Sequence, residues 1–335
     1  MIESSAMKKY KNHKGKERIC IVWFSVTIIL MMGVLSVMFV FEQRQDTFPS
    51  HGASDHFEYE GKPYTLKKNT EALLVLGLDK FEDGTVNGSY NNDQQADFLL
   101  LIVIDNDERS VSALQINRDT MTEMSVLGLN GNRIATVRRQ IALSHTYGNG
   151  REVSCHNVAE AVSGLLMDVK IDRCLSMKMD AVAIFNDLVG GVEVTLTEDF
   201  SDVDGSMVEG ETVVLTGEQA LLYVRSRYGL ENSSNIARME RQRQYLDSLY
   251  RSALRKLETD DSLVAEASLA MADFVISDCS ASYLQSLAEK CAEYEFEGIC
   301  TLDGASVMGE EFMEFYPYED SVIRTVLELF YECAD

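Results

Sequence analysis

Residues 72–78 read Ala-Leu-Leu-Val-Leu-Gly-Leu, and residues 98–104 read Phe-Leu-Leu-Leu-Ile-Val-Ile. Both runs are short, continuous and apolar, which is typical of β-strands that are covered on both faces. A polar stretch at 105–108 separates the second run from a third strand-like run at 111–116, and this arrangement predicts a hairpin. The three runs therefore predict the centre of a buried β-sheet.

Helical and strand-like patterns alternate after this hairpin. Apolar spacing predicts helices over 137–147, 158–166 and 181–189, with strands at 171–179 and 192–194. Thr216 and Gln219 have the spacing of a capping box that opens a helix, and a long helix is predicted over 236–257. Two or three further helices, with a strand within 310–318, are predicted after residue 261. The order indicates a mixed α/β fold, with a central mixed β-sheet flanked by helices.

The N-terminal segment predicts a membrane anchor. Residues 19–41 form a run of 23 residues without a charge, long enough to cross a hydrocarbon core of about 30 Å. Because the run does not end in a small-x-small cleavage site, we favour one transmembrane helix over a cleaved signal peptide. The basic tail at 1–18 predicts a cytoplasmic N-terminus, so the rest of this single-pass type II protein is expected outside the cytoplasm. We divide that part into a juxtamembrane linker (42–70), a catalytic domain (71–257) and a C-terminal helical extension (258–335).

Composition and charge limit the possible functions. The 335 residues are 46% hydrophobic and 25% charged with only 3 Pro, which is typical of a packed domain. Six of the 30 basic but only two of the 54 acidic residues precede residue 19, which leaves 24 basic against 52 acidic residues and a net charge of −28. A field of this sign opposes nucleic acid, so an anionic substrate requires a local basic cluster.

The seven cysteines contain no C-x-x-C pair, which argues against zinc-ribbon and thioredoxin-like sites. Two alternatives fit these cysteines. One is disulfide bonding among Cys279, Cys291, Cys300 and Cys333, and the other is free buried thiols. P-loop, dinucleotide-binding, zinc-peptidase and serine-esterase motifs are also absent from the sequence.

Charged side chains stand at the ends of the predicted central strands. Asp79 follows the first strand, Asp97 opens the second, and Arg118 with Asp119 follows the third. Carboxylate oxygens suit Mg²⁺, and a guanidinium grips phosphate oxygens in pairs. The alternative is that these residues cap strands or form a surface ion pair.

A second basic cluster lies further along the chain, with five arginines in nineteen residues: Arg225, Arg227, Arg238, Arg241 and Arg243. On the predicted long helix, Arg238, Arg241, Gln242 and Tyr245 have the spacing of a single face. Together they could cradle a pyrophosphate, and a solvated helix face is the alternative.

Taken in order, seven fragments resemble the LytR-CpsA-Psr family: LLVLGLD (73–79), QADFLLLIVI (95–104), VSALQINRDT (111–120), QIALSHTYG (140–148), FNDLVGGVEV (185–194), LTGEQALLYVRSR (215–227) and NIARMERQRQYL (235–246). The resemblance implies a Gram-positive cell-wall phosphotransferase that moves a teichoic acid, capsule or similar glycopolymer from an undecaprenyl-pyrophosphate carrier to peptidoglycan. It also implies a buried tunnel for the lipid.

The same resemblance implies roles for individual residues. Asp79 and Asp97 would bind Mg²⁺, and Asp79, Asp97, Arg118, Arg238 and Gln242 would form the catalytic set. The pyrophosphate would be held by Arg118, Arg225, Arg227, Arg238, Arg241 and Gln242.

Several positions depart from the family pattern. Gln95 stands where members commonly have Arg, Asn117 where a Pro is usual, and Asn235 near a usual Asp. These changes leave two further readings open. One is a polyprenyl-pyrophosphate hydrolase, and the other is a non-catalytic lipid-pyrophosphate-binding or regulatory ectodomain.

Overall fold

A computed structural model describes residues 52–78, 94–128, 131–226, 234–257, 259–260, 263–279, 283 and 293–334. The basic tail at 1–18 and the predicted transmembrane helix at 19–41 lie outside these residues. Within the described part of the chain, no helix combines the length and the apolar character that a membrane crossing requires.

A six-stranded mixed sheet forms the centre of the fold. Its strands are β3 (Thr70–Leu78), β4 (Ala96–Asp105), β5 (Ser110–Ile116), β8 (Arg173–Lys178), β11 (Val275–Ser277) and β12 (Glu295–Thr301), and their order across the sheet is β11-β8-β3-β4-β5-β12. The hairpin predicted between β4 and β5 is confirmed by their antiparallel pairing, whereas β8 and β12 join the sheet in parallel with β3 and β5.

Helices cover both faces of this sheet, as predicted. They are α1 (Glu152–Leu165), α2 (Ala181–Leu188), α3 (Gly217–Arg225), α4 (Asn235–Leu257), α5 (Leu263–Met271) and α6 (Glu319–Phe330). Side chains of β3 alternate between two apolar clusters: Leu73 and Val75 pack toward α2 to α5, while Leu74 and Leu76 pack toward α1 and α6. This alternation explains why the central strands are apolar at every position.

The capping box is present at the start of α3. Thr216 Oγ1 accepts a hydrogen bond from the backbone N–H of Gln219, and the Gln219 side chain accepts one from the backbone N–H of Thr216. The long helix α4 is also confirmed, within one residue of the prediction.

Small two- and three-stranded sheets surround the central layers. They are formed by β1 (His56–Tyr59), β2 (Lys62–Leu66) and β15 (Tyr331–Cys333), by β6 (Met121–Leu127) and β7 (Arg133–Gln140), by β9 (Val192–Thr195) and β10 (Thr212–Leu215), and by β13 (Gly304–Met308) and β14 (Met313–Pro317).

Two predicted regions have different secondary structure from what we expected. Residues 56–66, within the predicted linker, form β1 and β2, and β2 pairs with β15 near the C-terminal end. The predicted helical extension at 258–335 also contains strands β11 to β15 beside its helices. The pairing partners of these strands are distant in sequence, which local periodicity does not report. The domain boundaries themselves remain a prediction.

The helix predicted over 137–147 is wrong for its first half. Residues up to Gln140 belong to β7, and a 3-10 helix, Ile141–Thr146, follows. Val137 contacts the core while Arg138 and Arg139 are exposed, and the strand pairs with β6. Ile134, Thr136 and Val137 are β-branched, which favours a strand over a helix.

Candidate functional site

Three strand ends meet at one edge of the central sheet. Leu78 at the end of β3 is paired with Ala96 at the start of β4, and Leu99 is paired with Ile116 at the end of β5. Antiparallel pairing therefore brings Asp97 and Arg118 together, although 20 residues separate them in the chain. Asp79 directly follows β3 but lies outside the described residues.

Arg118 is the centre of this site. Its guanidinium forms an ion pair with the Asp97 carboxylate, and both side chains are largely buried, with 13% and 14% exposure. Nη2 donates a hydrogen bond of 2.8 Å to Gln95 Oε1, and Nε lies 3.4 Å from Asp119 Oδ1. The guanidinium is therefore held in one orientation by two carboxylates and one neutral amide.

The first turn of α4 brings a second guanidinium to the same place. Arg238 is only 4% exposed, and its Nη2 donates to the backbone oxygen of Asp97 at 3.2 Å and to Asn235 Oδ1 at 2.6 Å. Asn235 Nδ2 in turn donates to Asn117 Oδ1 at 2.6 Å. Asn117 immediately precedes Arg118, so the two arginines are tied to each other through a pair of asparagines. The N-terminus of a long helix also favours an anion.

Arg241 occupies a different environment, inside the protein. Its guanidinium forms an ion pair with Glu198, donates to the backbone oxygens of Tyr223 and Ser226, and lies 5.6 Å from the ring centroid of Phe200. Burial lowers the pKa of Arg241 from its usual value, and the attraction of Glu198 opposes that shift. These contacts fasten α4 to α3 and do not point the guanidinium at the Asp97–Arg118 pair.

Gln242 also makes internal hydrogen bonds. Its Nε2 donates to the Val224 backbone oxygen at 3.1 Å, and its Oε1 accepts from Gln115 Nε2 at 3.0 Å. Because Gln115 is on β5, close to Arg118, Gln242 fixes the distance between α4 and this strand.

Two predicted phosphate ligands remain, and the first of them is the last residue of α3. Arg225 is exposed, and Arg227 lies outside the described residues. The structure therefore brings Asp97, Arg118 and Arg238 together, and it places Arg241 and Gln242 in the packing between helices and sheet.

The donors at this edge of the sheet limit how a metal ion could be held. The described residues contain no group of three or more His, Cys, Asp or Glu side chains arranged to hold an ion. Mg²⁺ typically takes only one or two carboxylates and completes its shell with water and substrate phosphate. Among the described residues the site offers the largely buried carboxylate of Asp97, which is paired with Arg118, for this manner of binding.

Sequence reasoning missed several residues that support the site. Gln95, Asn117 and Asn235 were recognised only as departures from a pattern, yet all three hydrogen-bond to the arginines or to each other. Gln140 was not singled out, and its Nε2 donates to Asp119 Oδ1 at 3.1 Å and to the Met313 backbone oxygen at 2.7 Å. No local pattern marks a contact between residues 140 and 313.

The fold and the site define a three-layer α/β domain with an arginine–carboxylate cluster at one sheet edge. The chain belongs to the LytR-CpsA-Psr family, because the model described as "LytR_cpsA_psr family" matches residues 36–294. The resemblance inferred from the seven fragments is thereby confirmed.

Sequence similarity to known proteins supports this membership. The polyisoprenyl-teichoic acid–peptidoglycan teichoic acid transferase TagU of Halalkalibacterium halodurans is 28% identical over 182 residues, which are 54% of this chain and 53% of that protein. The chain thus spans about half the length of the curated relatives it matches.

Two solved structures share the fold. Protein gbs0355 of Streptococcus agalactiae aligns with a TM-score of 0.62 at 20% identity, over 78% of this chain and 86% of that one. TagT of B. subtilis aligns with a TM-score of 0.55 at 18% identity, over 89% and 96%. At these identities the likeness concerns the fold, and it supports the mixed central sheet flanked by helices.

Proposed function

We propose that the chain is an extracytoplasmic phosphotransferase that attaches a glycopolymer from an undecaprenyl-pyrophosphate carrier to peptidoglycan. The observation that carries the proposal is the joining of Arg118 and Arg238 with Asp97 at one sheet edge of an acidic domain. Family membership and relatives such as the H. halodurans TagU transferase support the same activity.

Charge is the first reason to assign a pyrophosphate to this site. The chain beyond residue 18 carries a net charge of −28, whereas at this site the charges of Arg118 and Arg238 balance those of Asp97 and Asp119. A guanidinium presents a planar fork of donors that matches phosphate oxygens. The N-terminus of α4 adds a partial positive charge beside Arg238.

The substrate phosphate is expected to bind Arg118 by replacing one of the groups that this guanidinium now contacts. Arg118 contacts two carboxylates and the neutral Gln95, and hydrogen bonds to charged acceptors are stronger than those to neutral ones. An arriving phosphate therefore displaces the Gln95 amide first. Asp97 and Asp119 continue to orient the guanidinium while it binds the phosphate.

The reaction that suits this arrangement is an in-line transfer. A hydroxyl oxygen of peptidoglycan forms a bond to the phosphorus that bears the glycopolymer, and the bond from that phosphorus to the bridging oxygen breaks. Undecaprenyl phosphate leaves, and the hydroxyl proton passes to the carboxylate of Asp97 or Asp79. Arg118 and Arg238 stabilise the negative charge that grows on the leaving phosphate.

Mg²⁺ is part of the proposal. Asp97 and Asp79 would hold the ion, which when bound supplies positive charge to the pyrophosphate oxygens. Arg225, the exposed last residue of α3, and Arg227, two residues further along the chain, are proposed to contact the phosphate, while Arg241 and Gln242 hold α4 in position.

Membrane attachment completes the proposal. Residues 19–41 would span the bilayer once, with the N-terminus in the cytoplasm, and the lipid chain would enter a tunnel within the apolar layer beside the sheet. Anchoring keeps the site within reach of a carrier lipid that does not leave the membrane.

The test uses the full chain in detergent, supplied with a lipid-linked glycopolymer, peptidoglycan and Mg²⁺. Arg118→Lys and Asp97→Asn are each expected to lower the transfer rate by about 100-fold, the usual effect of losing one group that stabilises a transition state. Arg251→Lys is a matched control, because Arg251 is also on α4 but is 53% exposed and pairs with Asp247. Chelation of Mg²⁺ should abolish turnover and leave the fold intact by circular dichroism.

Product analysis separates the proposal from the two alternatives. Polymer joined to muropeptide supports transfer, whereas polymer phosphate released into solution identifies a hydrolase. Tight binding of a polyprenyl pyrophosphate without either product identifies a binding module. Gln95, a neutral residue beside Arg118, is the reason to test this alternative. An Asp97→Asn variant with an unchanged rate would contradict the role of Asp97.

A further inference from the structure

A stretch without acidic residues follows the site along the chain. Residues 124–151 contain no Asp or Glu, although 52 acidic residues follow residue 18 in the whole chain. The same stretch contains four arginines: Arg133, Arg138, Arg139 and Arg151. Its formal charge of +4 therefore contrasts with the net charge of −28 on the part of the chain to which it belongs.

Three of these arginines lie on β7, which is an exposed edge strand. The sheet of β6 and β7 has two strands, so in the described part of the chain the outer side of β7 carries no further strand. Six of its eight residues are exposed, including Arg133, Arg138 and Arg139, and none of the eight is Pro. The acidic Glu123, opposite Arg138, belongs to β6 and lies on the paired side. β7 therefore offers backbone N–H and C=O groups to an incoming extended chain.

The side chains of these arginines keep their charge accessible. Arg133 is 57% exposed, and its Nη1 lies 3.6 Å from Glu160 Oε1 on α1. Arg138 lies over the ring of Tyr316 at 5.9 Å from the centroid, a contact that orients the guanidinium without neutralising it. Arg139 is exposed and forms no ion pair with any residue that the structure describes. Charge and open backbone groups thus occur on the same strand.

The direction of β7 connects this strand to the arginine cluster. Its last residue, Gln140, donates to Asp119 Oδ1 at 3.1 Å, and Asp119 adjoins Arg118. At a rise of about 3.4 Å per residue, Arg133 and Arg138 are roughly 17 Å apart, a length that about five extended residues span. A short extended chain beside β7 would therefore have one end near Arg118 and the other beside Arg133.

We propose that β7 binds the acidic peptide of the peptidoglycan acceptor as an added strand. The inference rests on the proposed function, in which a sugar hydroxyl of peptidoglycan reaches the phosphate at Arg118. Because the peptide of peptidoglycan is attached to its glycan, a peptide held beside β7 keeps a sugar hydroxyl close to the site. Backbone hydrogen bonds hold the peptide, and the three arginines of β7 attract its carboxylates.

The open edge favours a peptide over an anionic glycopolymer as the occupant. A polymer of sugars or polyols and phosphates would use the charges of the arginines, but it has no regularly spaced N–H and C=O groups to pair with a strand. A peptide with carboxylate groups uses both features of β7.

The experiment measures binding to the full chain in detergent, with a fluorescent muropeptide as the probe. Anisotropy is recorded without carrier lipid, so no turnover is required. Arg138→Gln combined with Arg139→Gln should raise the Kd by about tenfold, the joint effect of two exposed charges. Arg324→Gln is the matched control, because Arg324 is 64% exposed on α6, and it should leave the Kd unchanged. Binding by the wild type should weaken as the salt concentration rises.

Two changes to the probe test the strand pairing in the wild-type protein. N-methylation of alternate peptide nitrogens should weaken binding by about fivefold for one set and little for the other, because alternate N–H groups of a strand point toward its partner. Amidation of the peptide carboxylates should remove the difference between wild type and the double variant. Neither change depends on the folding of a variant.

Several results would overturn the proposal. Equal binding of the muropeptide by wild type and the double variant is one, and equal loss for both N-methylated sets is another. A third is a glycerol phosphate polymer that binds in place of the muropeptide and loses affinity in the double variant, which would assign the arginines to an anionic polymer.

The peptide site and the proposed function can fail separately. If glycan without peptide is an equally good acceptor, with the same KM, the peptide site fails while transfer stands. If the muropeptide binds as expected but no polymer-linked product forms, the proposed function fails while the peptide site stands.

Discussion

At the scale of single residues, two asparagines join the arginines of the site. Asn117 Oδ1 accepts from the backbone N–H of Asp119 at 2.9 Å and from Asn235 Nδ2 at 2.6 Å. Asn235 Oδ1 accepts from Arg238 at 2.6 Å. Both positions were expected from the resemblance to depart from the family pattern, and in the structure the two side chains contact each other. They form one coupled unit that sets the separation between the end of β5 and the start of α4.

We expect this coupling to be measurable in a double-mutant cycle. Asn117→Ala and Asn235→Ala should each weaken binding of a polyprenyl pyrophosphate by about fivefold, because each removes a hydrogen bond of about 1 kcal/mol that positions an arginine. The double variant should bind no more weakly than either single variant. Calorimetry on the full chain measures this, with the exposed Asn132→Ala as the control. Strictly additive losses of binding free energy would show that the two side chains act separately.

At the scale of elements, the turn of the β4–β5 hairpin determines which residues meet at its far end. Asp105 Oδ1 accepts from the backbone N–H groups of Asp107 and Glu108, both at 3.0 Å, and Oδ2 pairs with Lys67 at 3.0 Å. Burial acts to raise the pKa of Asp105, but the hydrogen bonds from Glu108 and Lys67 outweigh it and hold the pKa below its usual value. The ionised carboxylate therefore stabilises the turn, and with it the register of the two strands.

This element leads to a pH-dependent prediction. Asp105→Ala should lower the free energy of unfolding by about 2 kcal/mol at neutral pH, because two backbone donors and Lys67 lose their acceptor. A carboxyl whose folded pKa is depressed contributes its charge-dependent stability above the unfolded value of about 3.9, and that part is lost as pH falls through the folded pKa. Urea unfolding measured from pH 7 to pH 3 should therefore show that the gap in free energy of unfolding between wild type and variant becomes smaller. Glu108→Ala, an exposed neighbour, is the control, and a gap that stays constant or widens in acid would contradict the assignment.

At the scale of the whole molecule, the last part of the chain completes the fold and supports the site. The family match ends at residue 294, yet β12 then joins the central sheet, α6 covers one of its faces and β15 pairs with β2. The hairpin of β13 and β14 contacts the site directly, since the backbone N–H of Phe315 donates to the Asp119 backbone oxygen at 2.9 Å. Gln140 ties Asp119 to Met313 in the same hairpin.

Loss of the Gln140 hydrogen bonds should make the β13–β14 hairpin less stable. Gln140→Met keeps the approximate volume but loses both hydrogen bonds, and we expect it to lower the free energy of unfolding by about 1 kcal/mol. Cleavage by chymotrypsin after Phe312, which is 63% exposed, should become several-fold faster. Thr136→Ala, an exposed position on the same strand, should leave cleavage unchanged. Equal cleavage of Gln140→Met and wild type would show that the hairpin is held by its other contacts.

The sequence by itself determined the elements whose partners are close in the chain. Continuous apolar runs predicted β3, β4 and β5, the polar turn predicted their hairpin, and the residues at 216 and 219 predicted the start of α3. Once the hairpin is known, strand geometry alone places Asp97 near Arg118, because paired antiparallel strands bring their opposite ends together. These features depend on local periodicity and on short-range hydrogen bonds, which are visible in a single sequence.

Only the tertiary structure decided which arginine lies at the site and which one is buried in the packing of the helices. Arg238 and Arg241 lie three residues apart on one helix, yet the first reaches the backbone of Asp97 and the second pairs with Glu198 inside the fold. The pairing of β2 with β15, and the contact of Gln140 with Met313, were decided in the same way. Each depends on segments brought together from far apart in the chain, and the energy of such contacts comes from packing and desolvation that no local pattern encodes.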